Sequence, residues 1–176
     1  MPSLARPVAS LAIRSASEAE IPALRMLAEK IWRGSYATLL TPGQIDYMLA
    51  WMYAPETIAR ELHEGVTWEI AWLDGQMIGF HSCAFEPETR RLKLNKLYLL
   101  PEQQGLGFGQ QLLERVHTLA ALRGAGAVWL QVNKQNARAL RAYERAGYTV
   151  ERSAVFDIGG GYVMDDFILT RAIFLP

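Results

Sequence analysis

The segment LYLLPEQQGLGFGQQLLERV, residues 97–116, joins an apolar run to a glycine-spaced turn and then to a helical pattern. Glycine stands at every second position, Gly105, Gly107 and Gly109, where the helix is expected to begin. A strand that feeds a helix through such a turn leaves the first helical amides without internal partners, facing an opening with no side chains before it. Those amides carry partial positive charge and suit a phosphate. Glycines used only for unusual φ values are the alternative.

Two nucleotide readings of this turn fail on spacing. A P-loop needs Lys-Ser or Lys-Thr after its glycines, and neither follows. The dinucleotide fingerprint needs G-x-G-x-x-G, but the sixth position is Gln110 counted from Gly105 and Leu112 counted from Gly107. Beside the purely structural turn, what remains is a helix N-terminus whose backbone suits a pyrophosphate with no basic side chain required.

The rest of the chain supplies a mixed sheet with helices on its faces. LAIRSAS (11–17) reads as a strand, and Ser17 with Glu20 forms a capping box for a helix carrying Ile21, Leu24, Leu27, Ala28 and Ile31 at helical spacing. Pro42 and Pro55 open two further helices, since proline fits the first helical position. TWEIAWL and MIGFHSCAFEP form a hairpin about Asp74-Gly75, and RRLKLNKLYLL is a third strand ending at Pro101. A helix over about 107–123, the buried strand AVWLQV, the helix NARALRAYERAG and the strands YTVERSAVF and YVMDDFILTRA complete the order.

Composition narrows the partners. Lys+Arg and Asp+Glu balance at 18 each with a pI near 6.8, which leaves no electrostatic footprint for nucleic acid or an anionic membrane. A small ligand or a protein is expected instead. With Cys83 as its one cysteine, the chain has no internal disulfide and no cysteine-based zinc cluster, and the apolar GFHSCAF context predicts an inert core thiol. The apolar N-terminal segment is interrupted by Pro7 and Arg14, too weak for a signal peptide and too short to span a bilayer, so a cytoplasmic location is expected.

Gln104-Gly105-Leu106-Gly107-Phe108-Gly109 matches the pattern (R/Q)-x-x-G-x-(G/A), and the strand KLYLLPE precedes it. Downstream, VWLQVNKQNARALRAYERAGY combines a strand, an asparagine, a short helix with tyrosine and a Gly-Tyr pair. Both motifs, their separation and the element order resemble the GNAT superfamily, the acetyl-CoA-dependent N-acyltransferases. The resemblance implies an α/β (α+β) fold: a single domain over residues 1–176 with a mixed, mostly antiparallel, twisted sheet and helices on both faces. It implies acetyl-CoA as donor, coenzyme A as product and no metal. Backbone at Tyr98, Leu99 and Leu100 would pair with the pantetheine amides, and Gln104 to Gln110 (Gln104, Gly105, Leu106, Gly107, Phe108, Gly109, Gln110) would hold the pyrophosphate. Asn136 and Tyr143 stand at the second motif's positions.

Within that frame Tyr143 is expected to be the general acid, because a phenol of pKa about 10 roughly matches a thiolate leaving group. Asn136, seven residues earlier, shares its helix face and also reads as a plain N-cap. The base is left unassigned. Gln131 stands where some relatives carry glutamate, Lys93 where many carry an acid, and Glu69 and His81 lie on strands that could face the cleft.

For the acceptor, the aromatic residues Trp32, Tyr36, Tyr47, Trp51 and Tyr53 and the carboxylates Asp157, Asp165 and Asp166 suit a cationic amine by cation–π contact and charge pairing. Alternation lets at most one of Asp165 and Asp166 enter a given pocket. Trp32, Tyr36 and Asp165 are the expected contacts. The W-x-x-x-Y helix and DIGGGYVMDDF resemble bacterial GNAT proteins of the polyamine-acetylating type. The expected partner is therefore a small-molecule amine, with a homodimer through edge strands in keeping with relatives. A peptide or protein N-terminus, or a non-catalytic acyl-CoA sensor, are the competing functions.

Overall fold

The computed structural model describes residues 11–174. Its elements are β1 (Ala12–Ser15), α1 (Ile21–Ser35), α2 (Pro42–Met52), α3 (Pro55–His63), β2 (Thr67–Leu73), β3 (Gln76–Glu86), β4 (Arg91–Leu99), α4 (Phe108–Leu122), β5 (Ala127–Asn133), α5 (Ala137–Arg145), β6 (Thr149–Gly159) and β7 (Tyr162–Ala172). The strands pair as one seven-stranded sheet in the order β1-β2-β3-β4-β5-β7-β6. Only β4 and β5 run parallel; every other pair is antiparallel.

Local chemistry sets the boundaries. Thr41 Oγ1 accepts from the Gln44 amide at 3.2 Å, so α2 begins at Pro42. The Ser17 amide donates to Glu20 Oε2 at 2.9 Å, and residues 18–20 form a short 3-10 turn before α1 rather than its first turn. Asp74 and Gly75 take φ of 50° and 78°, the left-handed pair that a two-residue hairpin needs. β6 runs to Gly159, beyond Phe156 where the sequence pattern stops, because three successive glycines of positive φ make the turn.

The two faces of the sheet bury different cores. α1, α2 and α3 cover one face, where Trp68 stacks on Phe80 and Trp32 packs against Tyr53 and Tyr98. α4 covers the other, with Leu113 and Val116 against Leu92, Leu94, Val128 and Leu130. Among the described residues no helix is long and apolar enough to cross a membrane.

The pairing of β4 is irregular at one place. Leu94 pairs with Cys83 and Lys96 with Ser82, so Asn95 is an extra residue bulged out of the β3–β4 ladder. The β4–β5 ladder ends at the same level, at Leu94 and Leu130. From Asn95 onward β4 has a ladder partner only on its β3 side, and the two parallel strands part.

Glu69 and His81 lie on the α4 face, away from the cleft between β4 and β5, which corrects the expectation that they could face it. Strand alternation decides this: Trp68 and Phe80 face α1, so their neighbours Glu69 and His81 face α4. Glu69 is 2% exposed, accepts from Arg115 Nε and Nη2 at 2.8 and 2.6 Å, and lies 3.0 Å from His81 Nε2. Burial works against its charge, but Arg115 and His81 hold its pKa down to about 2. Cys83 is buried beside this cluster, and burial followed by the Glu69 charge pushes its thiol up to about 11, the inert state expected of it.

A carboxylate with a depressed folded-state pKa stabilises the fold fully above its unfolded value, and that stabilisation is lost as pH falls toward the folded value. For Glu69 the window runs from the ordinary 4.5 down to about 2. Glu69→Gln is expected to cost about 2 kcal/mol at pH 7. The gap to wild type should close as thermal melts are repeated from pH 5 downward; melting curves that stay parallel throughout would contradict this account.

Candidate active site

The parting of β4 and β5 opens a cleft of about 1180 Å³ lined by residues 94–99 on one side and 130–133 on the other. Buried backbone N–H and C=O groups need partners, and the β5-facing edge of β4 beyond Asn95 offers a free row of them. A ligand carrying amides can complete such an edge by strand-like pairing.

At the C-terminal end of β4 the chain turns through Gly105, with φ of 78°, into Gly107, the N-cap of α4, with φ of 89°. No side chain caps this helix, and Gly107, Gly109 and Gln110 at its start line the cleft. Gln104 braces the turn: its Nε2 donates to the Leu99 carbonyl at 3.0 Å and to Ser35 Oγ at 3.2 Å. The three glycines differ in need. A Cβ on Gly109 would sit 3.6 Å from Leu99 Cδ1, an ordinary contact, whereas Gly105 and Gly107 hold left-handed backbone.

The sequence reading missed a cation here. Arg138, in the first turn of α5, reaches across the cleft, and a Cβ built on Gly105 would lie 3.7 Å from its Nη2. Helix periodicity puts Arg138 on no special face; only the approach of α5 to the glycine turn reveals it.

Midway along the cleft the phenols gather. Tyr36, Tyr98 and Tyr143 all line it, with Asn136 beside them. Asn136 is the N-cap of α5, its Oδ1 accepting from the Ala139 amide at 3.1 Å. Burial raises the Tyr36 pKa, while hydrogen bonding from Tyr98 and Asn136 works against it. Burial also raises Tyr143, with Tyr36 and Tyr148 adding to the effect, and the Tyr143 ring packs edge-on to Tyr148 at 5.5 Å.

The remaining wall comes from α2 and the β6–β7 hairpin. Tyr47 Oη donates to the Ile158 carbonyl at 2.6 Å and Gln44 Nε2 to the Val163 carbonyl at 3.3 Å, which ties hairpin to helix. Met48, Trp51, Met52, Phe156, Ile158 and Met164 give this end an apolar and aromatic lining. Farther along β4, buried Lys96 lies over the Trp68 ring at 4.8 Å and 3.7 Å from Glu61 Oε2.

Of the expected residues, Tyr98, Leu99, Gln104, Gly105, Gly107, Gly109, Gln110, Asn136 and Tyr143 line the cleft. Three do not. Leu106 projects to solvent, Phe108 is a core residue, and Leu100 is buried beside the end of β4. Any contribution from these three is through backbone. Trp32 lines the base of the cleft but is 1% exposed and donates from Nε1 to Tyr53 Oη at 3.1 Å, so it supports Tyr36, stacked on it at 4.6 Å.

Asp165 is the clear correction. It is exposed and paired with Lys134 outside the cleft, while its neighbour Asp166 turns into the cleft wall at 3% exposure. The sequence admitted one of the two but held no signal for the register of β7, which its pairing with β5 sets: Asp166 stands opposite Asn133.

Residues 25–148 match the Acetyltransferase (GNAT) family. The chain belongs to that family. An uncharacterized N-acetyltransferase of Mycobacterium tuberculosis is 34% identical over 100 residues, 57% of this chain and 63% of that protein's length. The spermidine N(1)-acetyltransferase of Thermoplasma acidophilum is 24% identical over 147 residues, covering 81% of this chain and 90% of that one. Among solved structures, the PaiA N-acetyltransferase of Thermoplasma acidophilum in complex with coenzyme A superposes with a TM-score of 0.79 at 24% identity, covering 93% of this chain and 99% of that one. That likeness speaks for the fold.

The cleft fits the family's acyl carrier. Uncapped amides and Arg138 suit a pyrophosphate, and the free edge of β4 suits a chain of amides. Gly107→Val places a β-branched residue at φ of 89°. It is expected to weaken coenzyme A binding at least about tenfold by calorimetry, given a strain of roughly 1–3 kcal/mol. Gly109→Ala should bind as wild type does. Equal affinities for the two variants would remove the glycine turn from the binding site.

Proposed function

We propose that the chain moves an acetyl group from acetyl-CoA to the primary amine of a small cationic molecule, with a polyamine as the acceptor class, and that Tyr143 protonates the departing thiolate. The observation that carries this reading is the parting of β4 from β5 between two motif elements. The glycine turn stands at the end of one strand, and Asn136 and Tyr143 follow the other.

The donor supplies the activated thioester; the chain's residues hold and polarise it. Amides at the start of α4 hold the pyrophosphate with Arg138, and the free edge of β4 fixes the amide-bearing arm. A backbone N–H on that edge takes the carbonyl oxygen as negative charge develops, where low dielectric makes one donor worth about 3 kcal/mol. Tyr143 keeps its proton at neutral pH as any phenol of pKa about 10 does, and burial raises that value further. The same burial disfavours a free thiolate beside it, so proton transfer from phenol to sulfur stays matched.

A polyamine suits the acceptor end, where Tyr36, Trp51, Met48, Met52 and Met164 give an apolar and aromatic lining and Asp166 supplies a negative charge. The spermidine N(1)-acetyltransferase relative supports that class.

Release of coenzyme A thiol should be measured with spermidine, L-lysine and a tetrapeptide with a free N-terminus. Spermidine is expected to be turned over with the highest kcat/KM. Turnover of the peptide alone would move the acceptor to peptide N-termini, and tight coenzyme A binding with no turnover of any amine would make the chain a binder. Tyr143→Phe is expected to lower kcat about 100-fold while coenzyme A affinity holds; an unchanged kcat would take the acid role away from Tyr143.

A further inference from the structure

We propose that Asp166 receives the acceptor's ammonium group and is the base that takes its proton, an inference that rests on the transferase reading above. Two carboxylates line the cleft among the described residues, Glu61 and Asp166. Glu61 is occupied: its Oε2 accepts from Trp68 Nε1 at 2.9 Å and sits 3.7 Å from Lys96 Nζ. Asp166 is not. It is 97% buried, and its Oδ1 has no hydrogen-bond partner.

A buried acceptor with no donor costs free energy that a fold does not spend without compensation. A primary ammonium brings three N–H donors and the opposite charge to such an oxygen. The position is consistent with this use. Asp166 stands on β7 opposite Asn133 of β5, on the cleft face shared with Met164, and within electrostatic range of the Tyr36 phenol at the end of α1. Its carboxylate therefore shares the cleft with the Tyr36 phenol and with the apolar lining to which Met164 belongs.

The charged and titratable groups around it are Asp165 on its own strand, Lys134 just after β5 and Tyr36 from α1. Lys134 is engaged by Asp165 on the opposite face, so neither neutralises Asp166 directly. Burial, then repulsion from Asp165, pushes the carboxyl up to about 6, with Lys134 pulling the other way. A base with that value is ionised at neutral pH yet strong enough to accept a proton.

The protons balance as follows. The Asp166 carboxylate takes one N–H proton from the ammonium, and the freed lone pair forms the N–C bond to the acetyl carbon. The C–S bond breaks, Tyr143 gives its phenolic proton to the sulfur, and the second proton leaving nitrogen restores the Tyr143 hydroxyl. Asp166 releases its own proton to solvent with the product.

The test compares wild type with Asp166→Asn on spermidine, L-lysine and the tetrapeptide from pH 5.5 to 10. Wild-type kcat/KM should rise through an apparent pKa near 6 that Asp166→Asn lacks. The variant should be about 100-fold slower at pH 7, recovering as pH approaches the acceptor's own pKa, with coenzyme A affinity unchanged. Asp166→Glu should restore part of the rate. Because the substitution removes an unpartnered buried charge, the melting temperature of Asp166→Asn should equal or exceed wild type at pH 8. In 13C NMR of aspartate-labelled protein, the resonance absent from Asp166→Asn should titrate near pH 6 and move when spermidine is added. An Asp166→Asn enzyme with wild-type kcat/KM and pH profile, or a carboxyl resonance that none of the three amines moves, overturns the proposal while the transferase reading stands. Wild-type protein that acetylates none of the amines overturns both.

Discussion

The free backbone edge created where β4 leaves β5 is the constraint on which the rest of the structure depends. A parallel pair that stayed zipped would bury its ladder and leave no cleft. Instead the Asn95 bulge bends β4 at the level where its pairing with β5 ends, between Leu94 and Leu130. The glycine turn and the motif helix are then placed by the two diverging ends. The glycine turn continues β4 into α4, and Asn136 caps the helix that follows β5. The aromatic layer of α1 and α2 closes the third side, held to the β6–β7 hairpin by Tyr47.

Two buried carboxylates on opposite faces of the sheet show how environment divides roles. Glu69 has a forked hydrogen bond from Arg115 and a histidine beside it, so its charge is satisfied and its pKa is depressed to about 2. It secures β2 and β3 to α4. Asp166 is as deeply buried, but Lys134, the cation that acts on it, is committed to Asp165, and its pKa rises to about 6. One carboxylate stabilises the native state above mildly acidic pH. The other costs stability that grows as pH rises from its ordinary pKa to the raised one and persists above it, because the folded chain binds the proton more tightly than the unfolded chain does. The shifts are opposed because Glu69 has a cation directly on its carboxylate and Asp166 has none among the described residues.

Much of this is legible in the sequence. Hydrophobic periods of 3.6 and 2, prolines at Pro42 and Pro55, and the Asp74-Gly75 turn place nearly every element, because each signal is local. The glycine turn and the α5 residues were legible for the same reason: they belong to contiguous motifs. Arg138 escaped because its approach to Gly105 joins segments that diverge in sequence. Trp32 was overread, since an aromatic at helical spacing looks the same whether its indole N–H meets a ligand or, as here, the Tyr53 hydroxyl. Glu69 and His81 were open to either face until their strands were paired.

By itself the sequence determined the order of elements, the backbone-only turn at Gly105 and Gly107, and the pairing of Asn136 with Tyr143 on one short helix. These rest on spacing along the chain, which a linear pattern records. Tertiary structure decided which side of each strand a residue takes: Asp166 rather than Asp165 on the cleft, and Glu69 on the α4 face with Trp68 in the opposite core. The side-chain period of a strand is two residues, so its register against its neighbour settles every such choice at once. That register comes from contacts between distant segments, which the linear pattern does not hold.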